Sequence, residues 1–102
     1  MNDNRLPKIH PGEILQLEFL ESLSITLYRL SKDIGVAQTR ISEILSGKRS
    51  ITADTALRFS RYFGNSAQFW LNLQTQYDIR QALEENTEIY NQIPTRPFND
   101  VA

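Results

Sequence analysis

Apolar residues recur at helical spacing along almost the whole chain, and this spacing restricts the fold more than any other feature. They lie three and four positions apart between the two ends, and no stretch sustains a period-two alternation of apolar and polar residues. Glycines and helix-capping residues divide the pattern into short segments. The sequence therefore predicts an all-α fold of about five helices.

Each predicted helix has a start or a stop signal. Pro11 opens the first, over residues 11–22, because a proline is tolerated in the first turn. Thr26 caps the second, over residues 27–34, and Gly35 ends it. The third follows Val36 and is expected to stop at Gly47, the fourth to run from a cap at Thr52 to Gly64, and the fifth to span residues 67–82 from a cap at Asn65 or Ser66, with room to continue towards Tyr90.

The same spacing predicts which side chains form the core. Each helix has an apolar stripe that is expected to face inward. The expected core residues are Leu15, Phe19, Leu20, Leu23, Leu27, Leu30, Ile34, Ile41, Ile44, Leu45, Ala56, Leu57, Phe59, Tyr62, Phe63, Phe69, Trp70, Leu73 and Tyr77.

Length and composition indicate one small domain. A chain of 102 residues buries roughly 60 to 70% of its unfolded surface, which is enough for one core. The chain has no cysteine, which excludes disulfides and thiolate sites, and no apolar run reaches the roughly 18 residues of a membrane span. We expect a cytoplasmic protein with no membrane partner, made of a tail (1–10), a helical domain (11–82) and a partly mobile extension (83–102) that contains Pro94 and Pro97.

Charge is distributed unevenly along the chain. The formal net charge is −1, which by itself argues against nucleic acid as a partner. Residues 24–64, however, hold seven bases against three acids, whereas residues 1–23 hold two against four and residues 65–102 hold two against five. A binding surface responds to the local potential, so a basic centre between acidic flanks is compatible with DNA.

Residues 25–49 have the pattern that a helix-turn-helix requires. Two short helices meet at Gly35, and aliphatic residues on both sides would fix their angle. Held in this way, the second helix presents its N-terminal residues to the major groove of DNA. Two short helices joined by a glycine turn also occur in bundles that bind no DNA.

Polar residues at the start of the second of these helices suit DNA contact. Gln38 can pair bidentately with adenine and Arg40 with guanine, while Thr39 or Ser42 can reach a base edge or a phosphate. Further contacts to the sugar-phosphate backbone are expected from Lys48 and Arg49, just past the helix end.

Two segments resemble known families. Residues 25–64 resemble the DNA-binding domain of the xenobiotic-response-element and phage-repressor superfamily, in which a turn glycine precedes a polar recognition helix that ends in Gly-Lys. Residues 10–80 resemble the HigA family of antidote proteins from bacterial toxin–antitoxin pairs, through HPGEIL (10–15), RISEILSGKRSITADTALRFSRYFGNSAQFWLNLQ (40–74) and YDIR (77–80). The resemblance implies a lambda repressor-like fold and a dimer that represses its own operon and masks an mRNA-cleaving toxin of the HigB or RelE-like type.

One position departs from the superfamily pattern. Members usually have a glutamine where this chain has Leu27, and that glutamine braces the recognition helix and touches phosphate. A leucine cannot donate a hydrogen bond, so the expected phosphate contacts shift to Thr26, Tyr28, Lys48 and Arg49.

Catalysis and cofactor binding lack candidate residues. His10 is the single histidine of a chain without cysteine, so it is interpreted as a helix-start or surface residue rather than a zinc ligand. No nucleophile elbow, glycine-rich phosphate loop or HExxH motif occurs. The sequence therefore predicts no catalytic residues, no metal site and no cofactor.

Two further surfaces are predicted from apolar residues outside the core stripes. Leu71 and Ile79 on the fifth helix are candidates for a homodimer contact, which would place two recognition helices about 34 Å apart on a palindromic operator. On the first helix, Ile14 and Leu17 lie near Glu18 and Glu21. This group is either covered by the N-terminal tail or forms an acidic, partly apolar face for a basic ribonuclease toxin.

The sequence thus leaves two functions open. The first is an antitoxin that also represses its own operon. The second is a stand-alone repressor of the phage type without a toxin partner. A gene for a small basic protein next to this one would favour the first.

Overall fold

This computed structural model describes residues 8–97, which contain five helices and no strand. The first helix, α1, begins at Pro11–Ile14 and continues without a break as a π-helix over Leu15–Glu21. It is followed by α2 (Leu27–Ile34), α3 (Gln38–Leu45), α4 (Ala53–Phe63) and α5 (Ala67–Asn91). The all-α fold class and the five predicted helices are confirmed.

The local signals that mark the helix ends work as the sequence predicts. Thr26, Thr52 and Ser66 each accept a backbone N–H three residues further on and so cap α2, α4 and α5. Gly35 and Gly64 end α2 and α4 with φ values of 74° and 78°, a conformation that glycine adopts without steric cost.

All five helices contribute buried side chains to one core. Trp70 is fully buried at its centre, with its ring centroid 4.9 Å from that of Phe19 and 5.0 Å from that of Phe59. Its indole N–H donates to Asn65 Oδ1 at 2.9 Å, so the one polar atom of the side chain is satisfied. The other apolar side chains with no exposed surface are Leu15, Leu30, Ile41, Ile44, Ala56 and Phe59.

Three residues expected in the core are exposed instead. Leu23 is 55% exposed because α1 ends at Glu21 and the following turn, with Ser24 at φ 56°, directs it outward. Leu57 is 50% exposed because the buried stripe of α4 runs along its other side. Phe69 is 38% exposed, and its ring packs at 86° to that of Trp70 with a centroid distance of 5.1 Å.

Helix α5 is longer than the core needs. It spans 25 residues, and its buried positions, Trp70 and Gln74, lie in the first half. It continues across residue 82, and non-helical angles at Asn86 (φ −135°, ψ 23°) introduce a kink. Residues 93–97 have no regular secondary structure. Parts of the predicted tail (1–7) and of the predicted extension (98–102) lie outside the described residues.

Candidate DNA-binding surface

Helices α2 and α3 form the predicted helix-turn-helix. The Gly35 N–H donates to Ser31 O at 3.0 Å, and the next N–H, of Val36, donates to the same oxygen at 3.1 Å. Leu30 and Ile41 are fully buried and hold the two helices together from the core side. The turn is therefore fixed both by backbone hydrogen bonds and by packing.

The recognition face of α3 consists of Gln38, Thr39 and Ser42. All three are exposed, whereas Ile41 and Ile44 on the opposite side are fully buried. No side-chain hydrogen bond to another described residue is found for Gln38 or Thr39, so their polar atoms are available to a ligand. Because the buried side fixes the rotation of the helix, the recognition face has one orientation.

The start of α2 places two more predicted residues at the surface. The Thr26 oxygen accepts the Arg29 N–H at 3.0 Å, which leaves the hydroxyl hydrogen free to donate. Tyr28 is 53% exposed, and the Lys32 ammonium lies 5.9 Å from its ring centroid. Leu27 is partly buried and packs against the core.

Lys48 and Arg49, the two predicted phosphate-binding residues in the loop after α3, differ in their ion pairing. Arg49 forms an ion pair with Glu43, with an N–O distance of 2.6 Å. The Lys48 ammonium has no carboxylate within 4 Å among residues 8–97. Lys48 therefore presents a full charge, and the charge of Arg49 is partly offset.

Arg40 lies differently from its neighbours on α3. Its Nη1 donates to Asp54 Oδ2 at 2.9 Å and contacts Thr55 Oγ1 at 3.3 Å. The side chain is 33% exposed and leans towards the start of α4. In this conformation its guanidinium is directed at a carboxylate of the protein.

Asp54 and Arg58 join this network although the sequence analysis did not single them out. Arg58 Nε donates to Asp54 Oδ2 at 2.9 Å, and Arg58 Nη1 donates to the Ile34 carbonyl at the end of α2 at 2.7 Å. Hydrogen bonds from Arg40 and Arg58 hold the pKa of Asp54 below its ordinary value. The four-residue spacing of Asp54 and Arg58 on a helix was the available signal.

The two predicted dimer residues differ in their surroundings. Ile79 is 55% exposed on α5. Leu71 is half-buried and packs against the core, so the expectation that it points away from the core is wrong. Exposed apolar residues that the sequence analysis did not assign to this surface continue along α5 and beyond it: Leu83, Ile89, Tyr90 and Ile93.

The predicted toxin-facing residues lie on α1. Leu17 is 56% exposed, and Glu18 and Glu21 are also exposed. Glu21 accepts a hydrogen bond from Gln16 Nε2 at 2.9 Å. Ile14 is half-buried and contributes less surface.

His10 caps α1 rather than lying at the surface. Its Nδ1 accepts the Gly12 N–H at 2.9 Å, and the residue is only 8% exposed. The interpretation as a helix-start residue is confirmed, and the alternative of a surface histidine is wrong. Among residues 8–97, no three His, Asp or Glu side chains come together in a way that could hold a metal ion. No helix in the same range is both long and apolar enough to cross a membrane.

Comparison with known proteins places this surface in a family. A helix-turn-helix family model matches residues 17–70. The chain is 48% identical to virulence-associated protein I of Dichelobacter nodosus, over 89% of this chain and 84% of that protein. It is 33% identical to antitoxin HigA-1 of Vibrio cholerae, over 78% of this chain and 74% of that protein.

A solved structure gives the same result. The antitoxin HigA of Pseudomonas aeruginosa, determined with the higBA promoter, superposes with a TM-score of 0.82 at 40% identity. The match covers 86% of this chain and 97% of that one. The chain therefore belongs to the helix-turn-helix family and, within it, to the family of the HigA antitoxins.

Proposed function

We propose that this protein is an antitoxin that binds a palindromic operator as a dimer, represses its own operon and neutralises a basic, mRNA-cleaving toxin. The observation that carries the DNA-binding part is the recognition face, three exposed polar side chains on a helix whose opposite side is fully buried. Similarity to a HigA structure determined with promoter DNA supports the same assignment.

The DNA-binding residues divide into two groups. Gln38 and Arg40 are proposed to read base edges, with Thr39 and Ser42 reaching a base edge or a phosphate. Contacts to phosphate are proposed for Thr26, Tyr28, Lys48 and Arg49. Base contacts set sequence preference, whereas phosphate contacts set the salt dependence of binding.

Two substitutions test this division. Gln38→Ala is expected to cost about 1 to 3 kcal/mol on the operator and to relax the preference at one base pair. Lys48→Ala is expected to weaken binding to operator and to random DNA alike. It should also reduce the slope of log binding constant against log salt concentration by about one in magnitude. Fluorescence anisotropy over a range of salt concentrations measures both, with the exposed cation Arg61, changed to Ala, as the control. Equal effects of both substitutions on both DNAs contradict the division.

The toxin-binding part is proposed to use Leu17, Glu18 and Glu21, with a smaller share from Ile14. An acidic surface with an exposed apolar centre complements a ribonuclease, which must be basic to hold RNA. The acidic balance of residues 1–23 agrees with this role.

Co-expression with the adjacent gene tests the antitoxin assignment. We expect the wild-type chain to co-purify with a small basic protein and to block its RNA cleavage, and Leu17→Glu to abolish the block. Leu57→Glu, at a similarly exposed leucine on α4, is the matched control. If Leu17→Glu still neutralises the toxin, this surface is wrong. Operator binding without any neutralised neighbour would favour the stand-alone repressor.

A further inference from the structure

The carboxylate of Asp54 holds arginines from two different elements. One oxygen, Oδ2, accepts hydrogen bonds from Arg40 Nη1 and from Arg58 Nε, each at 2.9 Å. Arg58 also donates to the carbonyl oxygen of Ile34, at the end of α2. Asp54 thus links α3 to the start of α4, and Arg58 links α4 to the end of α2.

Arg40 cannot satisfy Asp54 and DNA with the same nitrogen. Its Nη1 makes the bonds to both Asp54 and Thr55. A bidentate contact with the O6 and N7 atoms of guanine through the terminal edge of the guanidinium uses Nη1 and Nη2 together. Base binding through this edge therefore competes with the bond from Nη1 to Asp54. The negative charge of Asp54 also opposes the approach of a phosphate to this part of the surface.

The ion pair between Arg40 and Asp54 is exposed enough for another acceptor to replace Asp54. The side chains of Arg40 and Asp54 are 33% and 58% exposed, and solvent-exposed ion pairs are weak. A strong acceptor can therefore draw Arg40 away from Asp54. A phosphate can also accept two N–H groups, but the negative charge of Asp54 repels it, whereas the O6 and N7 atoms of guanine carry no net charge.

We propose that Asp54 is a specificity-determining residue: its carboxylate competes with DNA for Arg40, so that Arg40 is released only where a bidentate base acceptor replaces it. This inference rests on the proposed function, in which Arg40 reads a base. It predicts that Asp54 weakens binding to random DNA more than binding to the operator.

The role is separable from the stability of the fold. Without Asp54, the bond from Arg58 to the Ile34 carbonyl still joins α4 to α2. Asp54→Asn keeps the shape and one acceptor oxygen, replaces the other oxygen by an NH2 group and removes the charge. Asp54→Ser, which also suits the first turn of a helix, is a second variant should the first alter the thermal transition.

The experiment measures dissociation constants for four proteins: the wild type, Asp54→Asn, Arg40→Ala and the double variant. Each is titrated with the DNA directly upstream of its own gene and with random DNA of equal length. For Asp54→Asn, we expect random DNA to be bound at least tenfold more tightly, and the ratio of random to operator dissociation constants to fall at least threefold. In the Arg40→Ala background the same change should tighten both DNAs equally and leave the ratio unaltered.

Asp33→Asn controls for the loss of an acid near the helix-turn-helix. Asp33 pairs with Arg29 and not with Arg40, so its removal should shift both DNAs by the same factor. The proposal is overturned if Asp54→Asn leaves the ratio unchanged, or if the ratio falls equally without Arg40. A wild-type chain that does not prefer its upstream DNA would instead contradict the proposed function.

Discussion

Gly12 lies where α1 meets the end of α3, and the space there excludes any side chain. A Cβ atom built on Gly12 would lie 2.0 Å from the carbonyl oxygen of Ile44 and 3.0 Å from the Cα of Leu45. Both atoms belong to the backbone, so they cannot move aside as a flexible side chain could. Glycine at this position allows the two helices to touch.

Gly12→Ala is therefore expected to destabilise the protein by about 3 kcal/mol, at the upper end of overpacking costs, because two backbones must separate. For a domain of this size, that loss lowers the melting temperature by more than about 10 °C. Thermal denaturation followed by circular dichroism measures it. Gly64→Ala is the control. A Cβ atom at Gly64 would meet no other atom within 4 Å, so this substitution should cost only about 1 kcal/mol, because of the positive φ. Equal losses in both variants would contradict the steric explanation.

His10 couples the same region to pH. Its Nδ1 must be unprotonated to accept the Gly12 N–H, and its ring packs against Tyr77 with a centroid distance of 4.8 Å. Burial lowers the pKa of His10 below its ordinary value of 6.5, and the nearby Asp78 and Glu13 carboxylates offset part of this effect. The folded state thus binds fewer protons than the unfolded state between the two pKa values.

Stability should accordingly fall as the pH is lowered from 7 through 6.5 towards 5, because the unfolded chain takes up a proton first. His10→Asn can still cap the helix but does not titrate, so its free energy of unfolding should change less over this range. Urea denaturation at several pH values gives the comparison. Parallel curves for the two proteins would show that His10 is not responsible.

At the scale of elements, the sequence predicts where the helices begin and end better than it predicts which side chains of each helix face the core. The caps Thr26, Thr52 and Gly35 form hydrogen bonds with residues three or four positions away, so their roles can be predicted from the local sequence. The turn after α1, in which Ser24 has a φ of 56°, has no comparable local signal. Leu23, which helical spacing places on the buried stripe of α1, is exposed because the helix ends before it.

The ion pair of Arg40 shows a second limit of sequence reasoning. Gln38, Thr39 and Ser42 lie on one exposed face, as their spacing predicts. Arg40 is 14 residues from Asp54, and only the packing of α3 against the start of α4 brings the two together. Helical periodicity therefore predicts the recognition face but not the direction in which the Arg40 side chain points.

Gln74 shows how α5 supports the DNA-binding half of the molecule. The residue is 5% exposed, and its Oε1 accepts the Ile51 N–H at 2.8 Å. Its Nε2 donates to Ser50 Oγ at 3.3 Å and to Asp78 Oδ1 at 2.9 Å. The loop that holds Lys48 and Arg49 is thus tied to α5 by one amide.

Gln74→Leu should cost about 1 to 3 kcal/mol, because the buried N–H of Ile51 loses its acceptor. Chemical denaturation gives the loss. The exposed Gln76 on the same helix, changed to Leu, should stay within about 0.5 kcal/mol of the wild type. A loss in Gln76→Leu as large as that in Gln74→Leu would mean that the hydrogen bond is not the cause.

At the scale of the whole molecule, the chain is elongated. Its radius of gyration is 17.2 Å, and its principal extents are 51 × 31 × 23 Å, whereas a compact chain of about 100 residues has a radius near 13 Å. The second half of α5 extends the molecule and exposes Ile79, Leu83 and Ile89. Exposed apolar residues along one helix favour a second copy as its partner.

We therefore expect light scattering at micromolar concentration to give twice the monomer mass of 11.8 kDa. Ile79→Glu together with Ile89→Glu should give the monomer mass, since two charges would be buried without partners. These substitutions lie on α5 and leave the recognition face on α3 unchanged, so each half of the operator should still be bound by a monomer while affinity for the whole operator falls. A monomeric wild type would contradict the dimer.

The kink at Asn86 has a consequence for how α5 unfolds. Its non-helical angles interrupt the regular geometry of the helix near the C-terminal end, beyond the last buried position at Gln74. The final turn can open without disturbing Trp70 or the core, because it shares no buried contacts with them. Amide hydrogens after residue 86 should exchange with solvent by fraying, while those near Trp70 should exchange only when the whole domain opens.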